Sequence, residues 1–114
     1  TSRVVVNLSG VSINYDATSL AAGKVIDTYG NTETITHIEN VIGTSYADTF
    51  AGNASNNSIT GGVGTDYFYA SIGTDTLDGG SDIDTLNFTT VTTDSGVSAD
   101  LKYRHFLFQY LFSL

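Results

Sequence analysis

The chain has no cysteine, proline, methionine or tryptophan, and only four lysines and arginines in 114 residues. Each gap removes a class of protein. Without cysteine there is no disulfide framework and no thiolate zinc site. A fold that must survive outside a cell would then take its reinforcement from metal instead of cross-links. Four basic residues against twelve acidic ones leave no basic patch for a phosphate backbone, which argues against nucleic acid. No apolar run reaches transmembrane length, and no stretch has the layout of a cleavable signal peptide. The missing initiator methionine points to a processed protein or a fragment. Lysine and glutamate are scarce too, while threonine and glycine abound, a composition of strands and turns. The length suits one domain with a modest core.

What is present is a period. From Gly43 to Asn87 the chain divides into five nonapeptides. Their first place holds Gly43, Gly52, Gly61, Ala70 and Gly79. The sixth holds Asp48, Asn57, Asp66, Asp75 and Asp84. The eighth holds Phe50, Ile59, Phe68, Leu77 and Leu86. The glycine-rich half of each unit reads as a turn, because glycine reaches positive φ without a Cβ penalty. The last three residues read as a short strand whose middle side chain points inward.

Two such units make one eighteen-residue coil, and coils stack at the strand spacing of about 4.8 Å. Asp48, Asp66 and Asp84 then form one vertical column, with Asn57 and Asp75 on the opposite edge. Carboxylates about 5 Å apart repel by roughly 3 kcal/mol at an effective dielectric near 20. No lysine or arginine between Gly43 and Asn87 offsets this. A hard dication would. Calcium takes six to eight oxygens at about 2.3–2.6 Å, whereas magnesium demands a small octahedron and releases its waters reluctantly.

Gly61-Gly-Val-Gly-Thr-Asp-Tyr-Phe-Tyr69 fits the pattern Gly-Gly-x-Gly-x-Asp-x-U-x at every constrained place, U being a large apolar residue. In this the chain resembles the RTX family of calcium-binding nonapeptide repeats, for which that pattern is the stated signature. Ile38-Glu-Asn-Val-Ile-Gly43 looks like the lead-in to such repeats. The other units depart from the pattern: Ala70-Ser71 replaces Gly-Gly, and Asp82 stands where a turn glycine belongs. The resemblance implies an all-β fold, a right-handed parallel β-roll or calcium-stapled β-solenoid, of about two and a half coils here with an irregular β-hairpin cap. It implies calcium-driven folding and a bacterial protein exported unfolded, without a cleaved N-terminal signal, to the medium or the cell surface. Asp66, Asp75 and Asp84 are the leading side-chain ligands, followed by Asp48 and Asn57, with Asp82 also a candidate. Carbonyls of Gly61, Gly62, Gly64, Gly73, Gly79 and Gly80 complete the shells.

Residues 1–42 read as a β-rich cap over the open end that a solenoid leaves. Val4–Leu8 and Val11–Tyr15 alternate as a hairpin or as two short strands. Leu20–Lys24 could form one helical turn, and Val25–Tyr29 a strand. Thr34–Ile42 is β-rich, with Ile35, Ile38 and Val41 feeding the interior and His37 a surface strand residue. After Asn87 the period stops, and residues 88–114 read as a strand-like extension and an aromatic tail. Val97-Ser-Ala-Asp-Leu101 echoes Val4-Val-Val-Asn-Leu8 and hints at an array. The apolar stretch from Lys102 to Leu114 could seal the roll, dock on another chain or a membrane surface, or serve export.

Catalytic chemistry finds no constellation. The aspartates repeat with the fold, at a turn edge and without a cleft. His37 and His105 have no zinc spacing, no serine stands in a Gly-x-Ser-x-Gly elbow, and Gly61–Gly64 lacks the lysine and helix of a phosphate loop. Tyr67 and Tyr69 flank Phe68 and point outward, for packing, a glycan or a partner. The expectation is a calcium-binding module that folds and rigidifies a secreted or surface protein. Alternatives are a subunit of an extracellular filament, adhesin or surface layer, an ice- or glycan-binding threonine face, and an accessory to an enzyme.

Overall fold

A computed structural model describes residues 3–87 together with the backbone of two later strands. The first five strands are β1 (Val5–Asn7), β2 (Ile13–Tyr15), β3 (Thr18–Leu20), β4 (Lys24–Ile26) and β5 (Thr32–Thr34). The repeats supply β6 (Asn40–Ile42), β7 (Thr49–Ala51), β8 (Ser58–Thr60), β9 (Tyr67–Tyr69), β10 (Thr74–Asp78) and β11 (Asp84–Asn87). Two more, β12 (Ser98–Leu101) and β13 (Phe106–Gln109), follow. Among the described residues there is no helix, as short strands of three to five residues, β-branched or aromatic residues around an inward apolar one, between glycine turns dictate.

Successive repeats send their strands alternately to two sheets. One has seven strands in the order β13-β11-β9-β7-β1-β4-β5, the other four in the order β12-β10-β8-β6. Within the repeats every pairing is parallel: Phe50 faces Phe68 and Phe68 faces Leu86 in the larger sheet, while Val41 faces Ile59 and Ile59 faces Leu77 in the smaller. Each partner lies eighteen residues on, two nonapeptides, so the period of the sequence is the period of the pairing. Phe50, Ile59, Phe68, Leu77 and Leu86 are buried in one cluster drawn from both sheets. Val41 packs against it, so the inward column starts where the sequence places it. The Phe50 and Phe68 rings lie 5.1 Å apart, tilted at 30°, an aromatic contact that adds about 0.5–1.5 kcal/mol to area burial. β12 and β13 continue the stack in parallel, on β10 and β11.

The N-terminal residues extend the sheet in a different way. β1 lies parallel to β7, Val6 opposite Phe50, and its other edge takes β4 antiparallel. Because both edges of β1 are used, Val4–Leu8 and Val11–Tyr15 do not pair with each other. The hairpin is β2 with β3, turning through Asp16 at φ 49°. The possible helical turn at Leu20–Lys24 is absent: β3 ends at Leu20, Gly23 sits at φ 67°, and β4 begins at Lys24. Val25 and Ile26 lie in that strand, which stops short of Tyr29. Asn7, fully buried, donates to the carbonyls of Val11, Leu20 and Ala21 at 2.8–3.1 Å and ties these turns together. Ile35 reaches the core but Ile38 stays exposed. The strand expected across Thr34–Ile42 is broken between β5 and β6, where His37 is exposed as expected but lies in no strand and takes φ 59°. The two strands that carry the echo, β1 and β12, each lie parallel to a repeat strand, β1 on β7 in the larger sheet and β12 on β10 in the smaller. The linker after Asn87 and the side chains of the aromatic tail lie outside the described residues, and so do the readings attached to them.

Candidate metal centre

The sixth and eighth places of a repeat are two residues apart on an extended chain, so both point to the same face. The consequence is burial: Asp48, Asp66 and Asp84 are at most 1% exposed, Asn57 and Asp75 3%. A position at the turn edge, the sequence expectation, is therefore corrected to one inside the roof of the turn. The signal that could have shown it was the two-residue offset from the apolar column.

The column is held together by main chain. The Asp48 N–H donates to Asp66 Oδ1 at 2.8 Å, and the Asp66 N–H to Asp84 Oδ1 at 2.8 Å. On the opposite edge the Asn57 N–H donates to Asp75 Oδ1 at 2.8 Å. The cap joins the ladder, with the Val4 N–H on Asp48 Oδ1 at 2.7 Å. One oxygen of each carboxylate thus links its coil to the one before.

The second oxygens differ. Asp48 Oδ2 accepts from the Thr44 N–H at 2.7 Å and the Thr44 hydroxyl at 2.9 Å. Asn57 Oδ1 accepts from the Asn53 N–H at 3.1 Å. Asp75 Oδ2 accepts from the Ser71 hydroxyl at 2.8 Å. Asp66 Oδ2 is buried with no hydrogen-bond partner. An orphaned carboxylate oxygen in the interior costs far more than a surface one.

The first-place glycines explain themselves here. Gly43, Gly52, Gly61 and Gly79 do not have positive φ. What they lack is room: a Cβ on Gly61 would collide with Asp66 Oδ2 and stand 2.9 Å from the Gly79 carbonyl oxygen. A Cβ on Gly43 would meet Asp48 Oδ2 at 2.7 Å and the Gly61 carbonyl oxygen at 2.6 Å. In both turns a carboxylate oxygen and the carbonyl of the next coil converge on the space the glycine leaves. Positive φ belongs instead to Gly62, Gly64, Gly73 and Gly80, whose backbones press against the turn before them, and to Asp82 at φ 71°. Asp82 Oδ2 accepts from the Gly64 N–H at 3.0 Å.

Burial pushes the Asp66 carboxyl up to about 7; the bond from the Asp48 N–H opposes this, while Asp48, Asp84 and Asp82 add to it. Desolvation outranks the mutual repulsion on which the sequence argument relied. Asp75 is also raised by burial, held back by the Asn57 N–H and the Ser71 hydroxyl.

One edge therefore brings together Asp48, Gly61, Gly62, Gly64, Asp66, Gly79, Gly80, Asp82 and Asp84, and the other brings together Asn57, Gly73 and Asp75. Among the described residues no three acidic or histidine side chains converge into a cage of their own. A cation in the Gly61 cradle would meet one carboxylate oxygen and main-chain carbonyls, an all-oxygen donor set that suits calcium. Tyr67 and Tyr69 are half-buried rather than free on the surface, in edge contact at 5.1 Å. The Tyr69 hydroxyl donates to the Asn14 carbonyl at 2.6 Å and so braces the cap, while the Tyr67 hydroxyl accepts from the Asn87 amide within the repeats.

Comparison with curated proteins returns no match. Residues 42–77 and 64–86 match the family model described as the RTX calcium-binding nonapeptide repeat, in four copies. The matched repeat is a calcium-binding element rather than a catalytic one. The wound stretch of this chain is a run of RTX calcium-binding nonapeptide repeats.

Proposed function

We propose that the chain is a calcium-stapled module, in which ion binding between stacked turns holds a right-handed parallel β-roll closed. The observation that carries this is Asp66 Oδ2: buried, without a hydrogen-bond partner, and facing the Gly79 carbonyl across the place where Gly61 has no Cβ. Asp66 and the Gly79 carbonyl are the leading ligands. The remaining donors come from the same two turns, among Gly61, Gly62, Gly64, Gly80, Asp82 and Asp84. Residues 43–87 form the roll, and 1–42 close its first coil through β1 on β7 and Tyr69 on Asn14. Calcium binds the folded chain alone, so it stabilises that state by mass action. Such a module works where calcium is abundant, in the medium or on a cell surface. Isothermal titration with calcium, and with magnesium in parallel, tests the reading. Saturable binding that strongly prefers calcium supports it; no heat beyond dilution, or equal affinity for magnesium, contradicts it.

A further inference from the structure

The five repeats differ at their second place, and the difference decides what becomes of the sixth-place oxygen. Thr44, Asn53 and Ser71 each donate to the sixth-place side chain of their own turn, from the main chain, the hydroxyl or both. Each such turn closes on itself. Gly62 has no side chain to donate, and at φ 105° its backbone leaves the pattern that Thr44 follows. Asp66 Oδ2 is left with no hydrogen-bond partner in consequence. Gly80, the other second-place glycine, is also at positive φ and gives its N–H to Asp78 Oδ1 at 3.0 Å.

Resting on the calcium reading above, we infer that the repeats are of two kinds: those with glycine at the second place take calcium, and those with threonine, asparagine or serine there are closed by their own hydrogen bonds and need none. The ion then sits on one edge only, in the gap between turns 61–66 and 79–84, where Asp66 Oδ2 points. The opposite edge, with the neutral Asn57 above a hydroxyl-capped Asp75, is a seam of ordinary hydrogen bonds. Thr44 closes the first turn of the acidic edge in the same manner, although its Asp48 is as buried as Asp66. The nonapeptide period thus carries two functions, and a single position in it selects between them.

Native mass spectrometry of the full chain in calcium counts bound ions per molecule, and the variants report which turn holds them. Asp66→Asn loses one ion relative to the parent chain, or weakens it at least tenfold. Asp75→Asn keeps the parent count, with affinity inside twofold. Loss of an ion in Asp75→Asn, or an Asp66→Asn count equal to the parent, overturns the two-kind assignment while leaving calcium binding intact. A parent chain with no bound calcium instead removes the reading on which the assignment rests. If Asp66→Asn does not fold, the opposite edge still decides: a calcium titration of Asp75→Asn that superimposes on the parent supports the assignment, and a displaced one refutes it.

Discussion

Gly61 and Asp66 work as a pair, since the carboxylate occupies the volume that a Cβ would need. Gly61→Ala is expected to cost about 1–3 kcal/mol, the usual penalty of overpacking a tight site, and to weaken calcium binding together with stability. Gly10→Ala is the control, because nothing lies within 4 Å of the added methyl; urea denaturation of the two variants should separate them. The same carboxylate gives the metal-free protein a distinctive pH response. Asp66 titrates near 7 in the fold against an ordinary value of 3.8 in the unfolded chain. Its contribution is fully present below pH 4 and is lost as pH rises towards 7, because the folded state holds a proton that the unfolded state has released. Chelated protein should therefore become less stable between about pH 4 and pH 7 by this group, with Asp75 raised in the same direction. Asp66→Asn should flatten the slope, and denaturant midpoints measured across that range check it.

The strands owe their order to an interior column that the sequence displays openly. Phe68 is 1% exposed between Phe50 and Leu86, so Phe68→Ala is expected to cost about 3–5 kcal/mol, measurable as a lowered urea midpoint. Tyr69→Phe removes only the bond to Asn14 and should cost about 0.5–1.5 kcal/mol, with amide exchange quickened around β2. Legibility follows the same division. The eighth-place column, the eighteen-residue winding and the sixth-place register could be read because local spacing dictates them. Burial of the aspartates was missed because a carboxylate reads as a surface residue, though its two-residue offset from Phe50 or Phe68 put it on the inner face. The cap was harder still. β1 meets β7 across forty-four residues with no period to announce it, and the three bonds from Asn7 to main-chain carbonyls leave no pattern in the sequence. Ile38 failed for a local reason: His37 at positive φ interrupts the strand that would have turned it inward.

The whole molecule joins a small apolar core to a net charge of −8. Main-chain N–H groups satisfy one oxygen of each stacked carboxylate, so the column is not held apart from collapse by an ion alone. On the proposed reading the ion's task is narrower: to supply the partner that Asp66 Oδ2 lacks. Stability should then be linked to free calcium rather than wholly dependent on it, by about 2.7 kcal/mol at a hundredfold excess over the dissociation constant. The most direct test is the urea unfolding of the intact chain at neutral pH, followed by far-ultraviolet circular dichroism, in excess calcium and in chelator. The expected result is a higher midpoint in calcium at unchanged slope, reversed by chelation and not reproduced by magnesium. Superimposed curves in calcium and chelator would contradict the account.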